Sequence, residues 1–149
     1  MKKISYLTLI LSAFCFLTNC STPKSTAEVK VTSNSGYDIL GTESIGYGKN
    51  RDAAIENAKE QAFTNLLFRG IPGSSHSRAM VGNETSSKNQ HKDYFDDFFN
   101  KKGYNKFVRS CSEGQYSRKD KSIKCNISIN VKALRTDLEQ NNIIRGFGL

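Results

Sequence analysis

Few side chains in this 149-residue sequence have the type and spacing to do chemistry. A glycine-rich turn, Gly46-Tyr47-Gly48-Lys49, invites a phosphate-loop reading, but the spacing removes it. That loop needs Gly-x4-Gly-Lys-Ser/Thr, whereas Asn50 follows Lys49 here and Glu43 stands where the first glycine belongs. A dinucleotide fingerprint fails as well, because the third glycine is missing. His76 and His91 are the only histidines; they flank a polar stretch, bring no further ligands with them, and read as surface residues.

Asp93, Asp96 and Asp97 fall opposite Tyr94, Phe95, Phe98 and Phe99 if Lys92 to Lys102 is helical. The acidic side is then either simply solvated or a docking island on a basic protein. Acid/base catalysis by paired carboxylates would need a pocket and a raised pKa, neither of which the pattern supplies. With no triad, metal set or cofactor loop, the reading is non-enzymatic, with no cofactor and no small-molecule substrate.

The formal charge is +8; taking Lys2 and Lys3 from the 22 basic residues leaves 20 against 14 acidic ones. Residues 101–149 alone carry 11 basic and 4 acidic side chains. Within them Arg118, Lys119, Lys121 and Lys124 form a candidate anion-binding group for lipid head groups or glycan, or else a solvated positive face. No nucleic-acid motif accompanies the charge, so nucleic acid is not the expected partner.

The amino terminus predicts export. Met1-Lys2-Lys3 is a short positive start, and Ile4 to Leu17 is an apolar run of 14 residues, too short to span a bilayer and right for a signal-peptide core. Leu17-Thr18-Asn19-Cys20-Ser21 then resembles a bacterial lipobox, with Leu three residues before the Cys; Asn19 departs from the small residue usual before it. The resemblance implies a signal peptide over residues 1–19 and lipidation of Cys20, with two or three acyl chains including palmitate. A plain secretory signal, with Cys20 an ordinary thiol, is the alternative. Ser21 after the Cys implies the outer membrane, and the lack of an acidic cluster in TPKSTAEVKV favours its periplasmic face. Residues 20–35, rich in Ser, Thr and Lys, read as a flexible tether, in which Val29 and Val31 could add an edge strand.

Tyr37 to Gly70 predicts a strand, a glycine turn and one long helix. Tyr37, Ile39, Gly41, Glu43, Ile45 and Tyr47 share a mostly apolar parity and are assigned to the buried face. Asn50 is a candidate N-cap; Ala54, Ala58, Ala62 and Leu66 recur every four residues; Arg69 and Gly70 close the helix. A Gly-x-Gly strand end before an alanine-spaced helix resembles small envelope lipoproteins of the Lpp-twenty type and the N-terminal domain of the flagellar assembly protein T. The resemblance implies a small α+β domain accessory to envelope assemblies, with no catalytic residues to carry over. Ser74 to Gln90 reads as a long surface loop.

Ile123, Cys125, Ile127, Ile129 and Val131 alternate strictly with polar residues, a half-buried antiparallel strand able to pair with Lys106 to Tyr116. If the turn centres near Arg118, Cys111 and Cys125 lie opposite one another; a shifted turn separates them. In an exported chain these two remaining cysteines favour a disulfide, and the absence of Cys-x-x-Cys argues against a redox pair. Ala133 to Gln140 predicts a last helix. Ile143-Ile144 and Phe147-Gly148-Leu149 form an apolar tail that docks on the domain or offers Phe147 and Leu149 to a partner.

The expected fold is a single α+β domain over residues 36–149, in strand-helix-loop/helix-hairpin-helix order. Helices would pack on one face of a small antiparallel sheet. The expected function is that of a lipid-anchored, non-enzymatic accessory or scaffold subunit, held at the membrane and contacting another envelope protein. A binding module for an anionic envelope component is the alternative.

Overall fold

A computed structural model describes residues 29–146. The fold is α+β: a four-stranded antiparallel sheet in the order β1-β2-β4-β3, with helices packed on one side. The strands are β1 (Val29–Ser35), β2 (Ile39–Tyr47), β3 (Val108–Glu113) and β4 (Ser122–Asn130). The helices are α1 (Arg51–Phe68), α2 (Glu84–Gln90), α3 (Lys92–Phe95) and α4 (Val131–Gln140). β1, the edge strand that Val29 and Val31 offered, occupies Val29–Ser35, the last seven residues of the stretch expected as tether, so the folded region begins earlier than residue 36. Likewise α2, capped by the Asn83 side chain on the Ser86 N–H, replaces the end of the expected loop.

β2 and β4 pair in unbroken register from Ile39–Asn130 to Tyr47–Ser122 and form the middle of the sheet. Over them lies α1, whose Ala54, Ala58 and Ala62 are fully buried. The expected parity of β2 is reversed. Leu40, Thr42, Ser44 and Gly46 face the helix, while Tyr37 and Tyr47 are exposed. The reason is steric. A Cβ on Gly46 would stand 1.9 Å from the Ala54 carbonyl oxygen, so only small side chains fit beneath α1 at that end. The bulkier set of β2 is left on the uncovered face, where Glu43 meets Lys124 of β4 at 3.2 Å.

Capping fixes both ends of α1. Asn50 accepts from the Ala53 N–H at 2.8 Å, and Gly70, at φ +79, donates to the Asn65 carbonyl at 2.7 Å. The chain then folds back, and Val81 N–H reaches the Leu67 carbonyl at 2.9 Å. α3 runs on into a π-helical turn, Asp96–Asn100, and Lys102 rather than Gly103 takes the left-handed position that ends it. As the spacing predicts, Phe95 and Phe98 are buried, with Tyr94 and Phe99 packed against the same core. Phe98 sits among Phe63, Tyr104 and Phe107, its ring centroid 5.7 to 6.1 Å from theirs. Offset and edge-on pairs of this kind each contribute about 0.5–1.5 kcal/mol beyond burial. α4 starts at Val131, where the Asp38 carbonyl accepts its first N–H at 2.9 Å, and Ile143 and Ile144 dock on the core behind it.

Candidate functional site

The hairpin tip and the start of α1 meet at one end of the sheet. Gly48 donates its N–H to the Lys121 carbonyl at 2.8 Å, and the Tyr116 hydroxyl donates to the Gly48 carbonyl at 2.8 Å. These two bonds tie the β2–α1 turn to the β3–β4 loop. Between them opens a cleft of about 800 Å³, lined by Lys49, Arg51, Tyr116, Arg118 and Lys121 among others. The charged side chains of this lining are all exposed cations. Arg51 is also held by Glu113 at 2.6 Å, and Asp120 is engaged by the Ser117 hydroxyl at 2.8 Å.

Of the anion-binding candidates, Arg118 and Lys121 line this cleft, and Lys119 lies exposed on the same loop. Lys124 does not belong to it: the pairing of Ile45 with Lys124 puts it on the uncovered sheet face, against Glu43. Sequence reasoning missed Lys49 and Arg51. Their signal was their position on either side of the helix cap Asn50, which the hairpin folds toward.

The acidic face is occupied by its own lysines. Lys92 pairs with Asp96, and Lys101 with Asp97 at 2.6 Å. Asp93 and Asp97 border a smaller cleft of about 340 Å³ with Tyr94 and Lys106. Two residues of that lining share Asp137 as a partner, which accepts from the Tyr94 hydroxyl at 2.8 Å and from Lys106 Nζ at 2.7 Å. Burial, reinforced by the Asp137 carboxylate, pushes the Tyr94 hydroxyl far above the ordinary phenol range, so it stays a hydrogen-bond donor. The other two residues of the candidate partner face, Phe147 and Leu149, lie outside the described residues, as do Cys20 and the signal segment.

His76 is not the surface residue expected. Only 8% exposed, it sits with a ring nitrogen 3.2 Å from the Tyr37 carbonyl and its ring edge-on to Tyr37. Burial pushes its pKa below the ordinary histidine value. Beside it a cleft of about 660 Å³ is bordered by Arg78, Met80 and Arg135. Among the described residues no group of three or more His, Cys, Asp and Glu is placed to hold a metal ion.

The turn between β3 and β4 is centred one residue later than Arg118, which shifts the register by two. Cys111 therefore opposes Ile127, and Cys125 opposes Glu113. The two cysteines are diagonal neighbours on the core side, present as free thiols. Burial, with Cys111 alongside, pushes the Cys125 thiol up to about 12, and burial raises Cys111 as well. Near them Glu56 ties Lys59 at 2.8 Å and Lys102 at 3.3 Å. Partial burial opposes ionisation of Glu56, yet the two ammonium groups hold it below the usual carboxylate range.

No protein family, curated protein or solved structure matches this chain. Among the described residues no helix is long and apolar enough to cross a membrane.

Proposed function

We propose that this chain is a lipid-anchored envelope protein, tethered through Cys20 to the periplasmic face of the outer membrane. There it acts as a non-enzymatic accessory subunit that holds an anionic, phosphate-bearing envelope component. The observation that carries the reading is the convergence of Lys49, Arg51, Arg118 and Lys121 on one open cleft. A binding role suits that lining, which offers cations and a Tyr116 hydroxyl already bonded to Gly48. Docking of a partner protein on Asp93, Asp96, Asp97, Phe147 and Leu149 has less behind it, since Lys92 and Lys101 already pair with two of the acids. The loose likeness to Lpp-twenty-type lipoproteins agrees with an envelope location, and Cys111 and Cys125 would be bridged after export.

The test is binding of the full chain to polyphosphate, to an anionic glycan and to anionic phospholipid vesicles over a range of salt. Binding that weakens steeply with salt, and that Arg118→Glu with Lys121→Glu abolishes while Lys124→Glu leaves it largely intact, is the expected result. Binding indifferent to salt and to the first pair of changes would remove the cleft from consideration.

A further inference from the structure

The cleft and the membrane tether leave the domain at the same end. Val29, the first residue of β1, pairs with Ser44, three residues before β2 ends at Tyr47. At a rise of about 3.4 Å per residue, Val29 stands roughly 10 Å short of that end of the sheet. β1 runs antiparallel to β2, so its first residue, Val29, lies at the end of the strand nearer Tyr47, Gly48 and the basic cleft. At the other end lie Tyr37 and the start of α4, whose first N–H is held by the Asp38 carbonyl.

Chain length then limits what the cleft can face. Cys20 is nine residues from Val29, and nine residues reach at most about 30 Å whatever their conformation. That reach is no longer than one of the nine-residue central strands. A tether of that reach keeps the hairpin tip close to the leaflet carrying the anchor, with Tyr37 at the opposite end of the sheet. Lys49, Arg51, Arg118, Lys119 and Lys121 are all exposed at the near end, against the acids Asp52, Glu113 and Asp120.

Resting on the proposed anchor and anion-binding cleft, we infer that the ligand of the cleft is the anionic phospholipid surface of the anchoring leaflet itself. Acyl chains and a basic patch together make two attachments to one membrane, and the patch fixes the orientation of the domain. Each cation within a Debye length of an anionic leaflet contributes about fivefold to surface affinity, so the loss of several releases the domain face while the anchor stays inserted.

The chain contains no tryptophan, so one introduced indole reports on one place. Gln115→Trp puts it on the exposed hairpin tip, and Tyr37→Trp puts it at the far end, where Tyr37 is 73% exposed. Full-length protein carrying either change is inserted through its anchor into vesicles containing phosphatidylglycerol and a lipid with a quencher on its head group. Gln115→Trp should be quenched several-fold more than Tyr37→Trp, and the difference should vanish in high salt or with Arg118→Glu and Lys121→Glu. Equal quenching at both positions, while polyphosphate still binds the unmodified chain in a salt-sensitive way, overturns the orientation and leaves the anion-binding cleft standing. Loss of polyphosphate binding as well overturns both, and a chain not recovered in the vesicle fraction overturns the anchor on which the orientation depends.

Discussion

Gly46 of β2 and Ala58 of α1 are in backbone contact: a Cβ built on the glycine would lie 2.4 Å from the Ala58 nitrogen and 2.8 Å from its Cβ. This approach sets the height of the helix above the sheet and hence the position of Asn50 and Arg51 at the cleft. Gly46→Ala should therefore lift α1 and cost about 3 kcal/mol or more, because backbone rather than a flexible side-chain tip blocks the added methyl. Ile45→Ala, one residue away on the uncovered face, should cost about 1 kcal/mol or less. Urea unfolding of both variants measures the contrast, and equal losses would contradict the packing described.

The same contact explains which parts of the fold the sequence displays. α1 is legible because its signals are local: Asn50 at the start, alanines every four residues, Gly70 at the end. The face of β2 is not, because its parity follows from how near α1 comes, which no local pattern records. Large residues were pushed to the uncovered side, so counting apolar groups selects the wrong face. The cleft was half legible for a related reason. Arg118 and Lys121 stand in an evidently basic stretch, but Lys49 and Arg51 join them only through the tertiary bond from Gly48 to Lys121. Lys124 misled because strand pairing, not proximity in sequence, decides which side it takes. His76 was misread because the loop around it turns back under its own Ile71 N–H, which bonds the His76 carbonyl at 2.9 Å.

Ser44 sits in the same layer as Gly46, and its Oγ is buried without a hydrogen-bond partner. An unpaired buried hydroxyl costs about 1–3 kcal/mol of desolvation. Ser44→Ala should therefore leave stability unchanged or raise it by about 1 kcal/mol. Ser44→Val, which adds bulk beneath α1, should lower it by about 1–3 kcal/mol. Thermal unfolding of the two variants distinguishes them, and a marked loss on Ser44→Ala would mean that the hydroxyl is bonded after all.

Burial of His76 makes folding favour its neutral ring. As pH falls below the ordinary histidine value of 6.5, the unfolded chain takes up a proton that the folded chain resists. The stabilisation is thus complete above that pH and is lost progressively as pH falls toward the depressed folded-state value. Arg135, whose positive charge also disfavours protonation, acts in the same direction as burial. His76→Gln should flatten the stability profile below about pH 6.5, and it should cost about 1 kcal/mol above that pH through the weakened bond to Tyr37. An unchanged acid slope in the variant would assign the slope to other groups.

Cys111 and Cys125 present the sharpest choice between sequence and geometry. Export predicts a bridge, whereas the register makes them diagonal rather than opposite. Diagonal positions stand about 7–8 Å apart at Cα, slightly beyond the usual disulfide span, so closing the bond must shift β3. That strand can yield, being at the sheet edge and already irregular between Val108 and Ser110. Because burial keeps both thiols protonated near neutral pH, closure should need an oxidoreductase disulfide as acceptor of the two electrons, with both thiol protons released. The chain recovered from the cell envelope should then show no free thiol at these positions until it is reduced. Reduction should cost up to about 3 kcal/mol, the chain-entropy figure for a loop of this size, lowered by the strain of the shifted strand. Two free thiols in freshly isolated native protein would sink the bridge. In that case Cys111→Ser would be nearly neutral and Cys125→Ser, at a fully buried position, would remain destabilising.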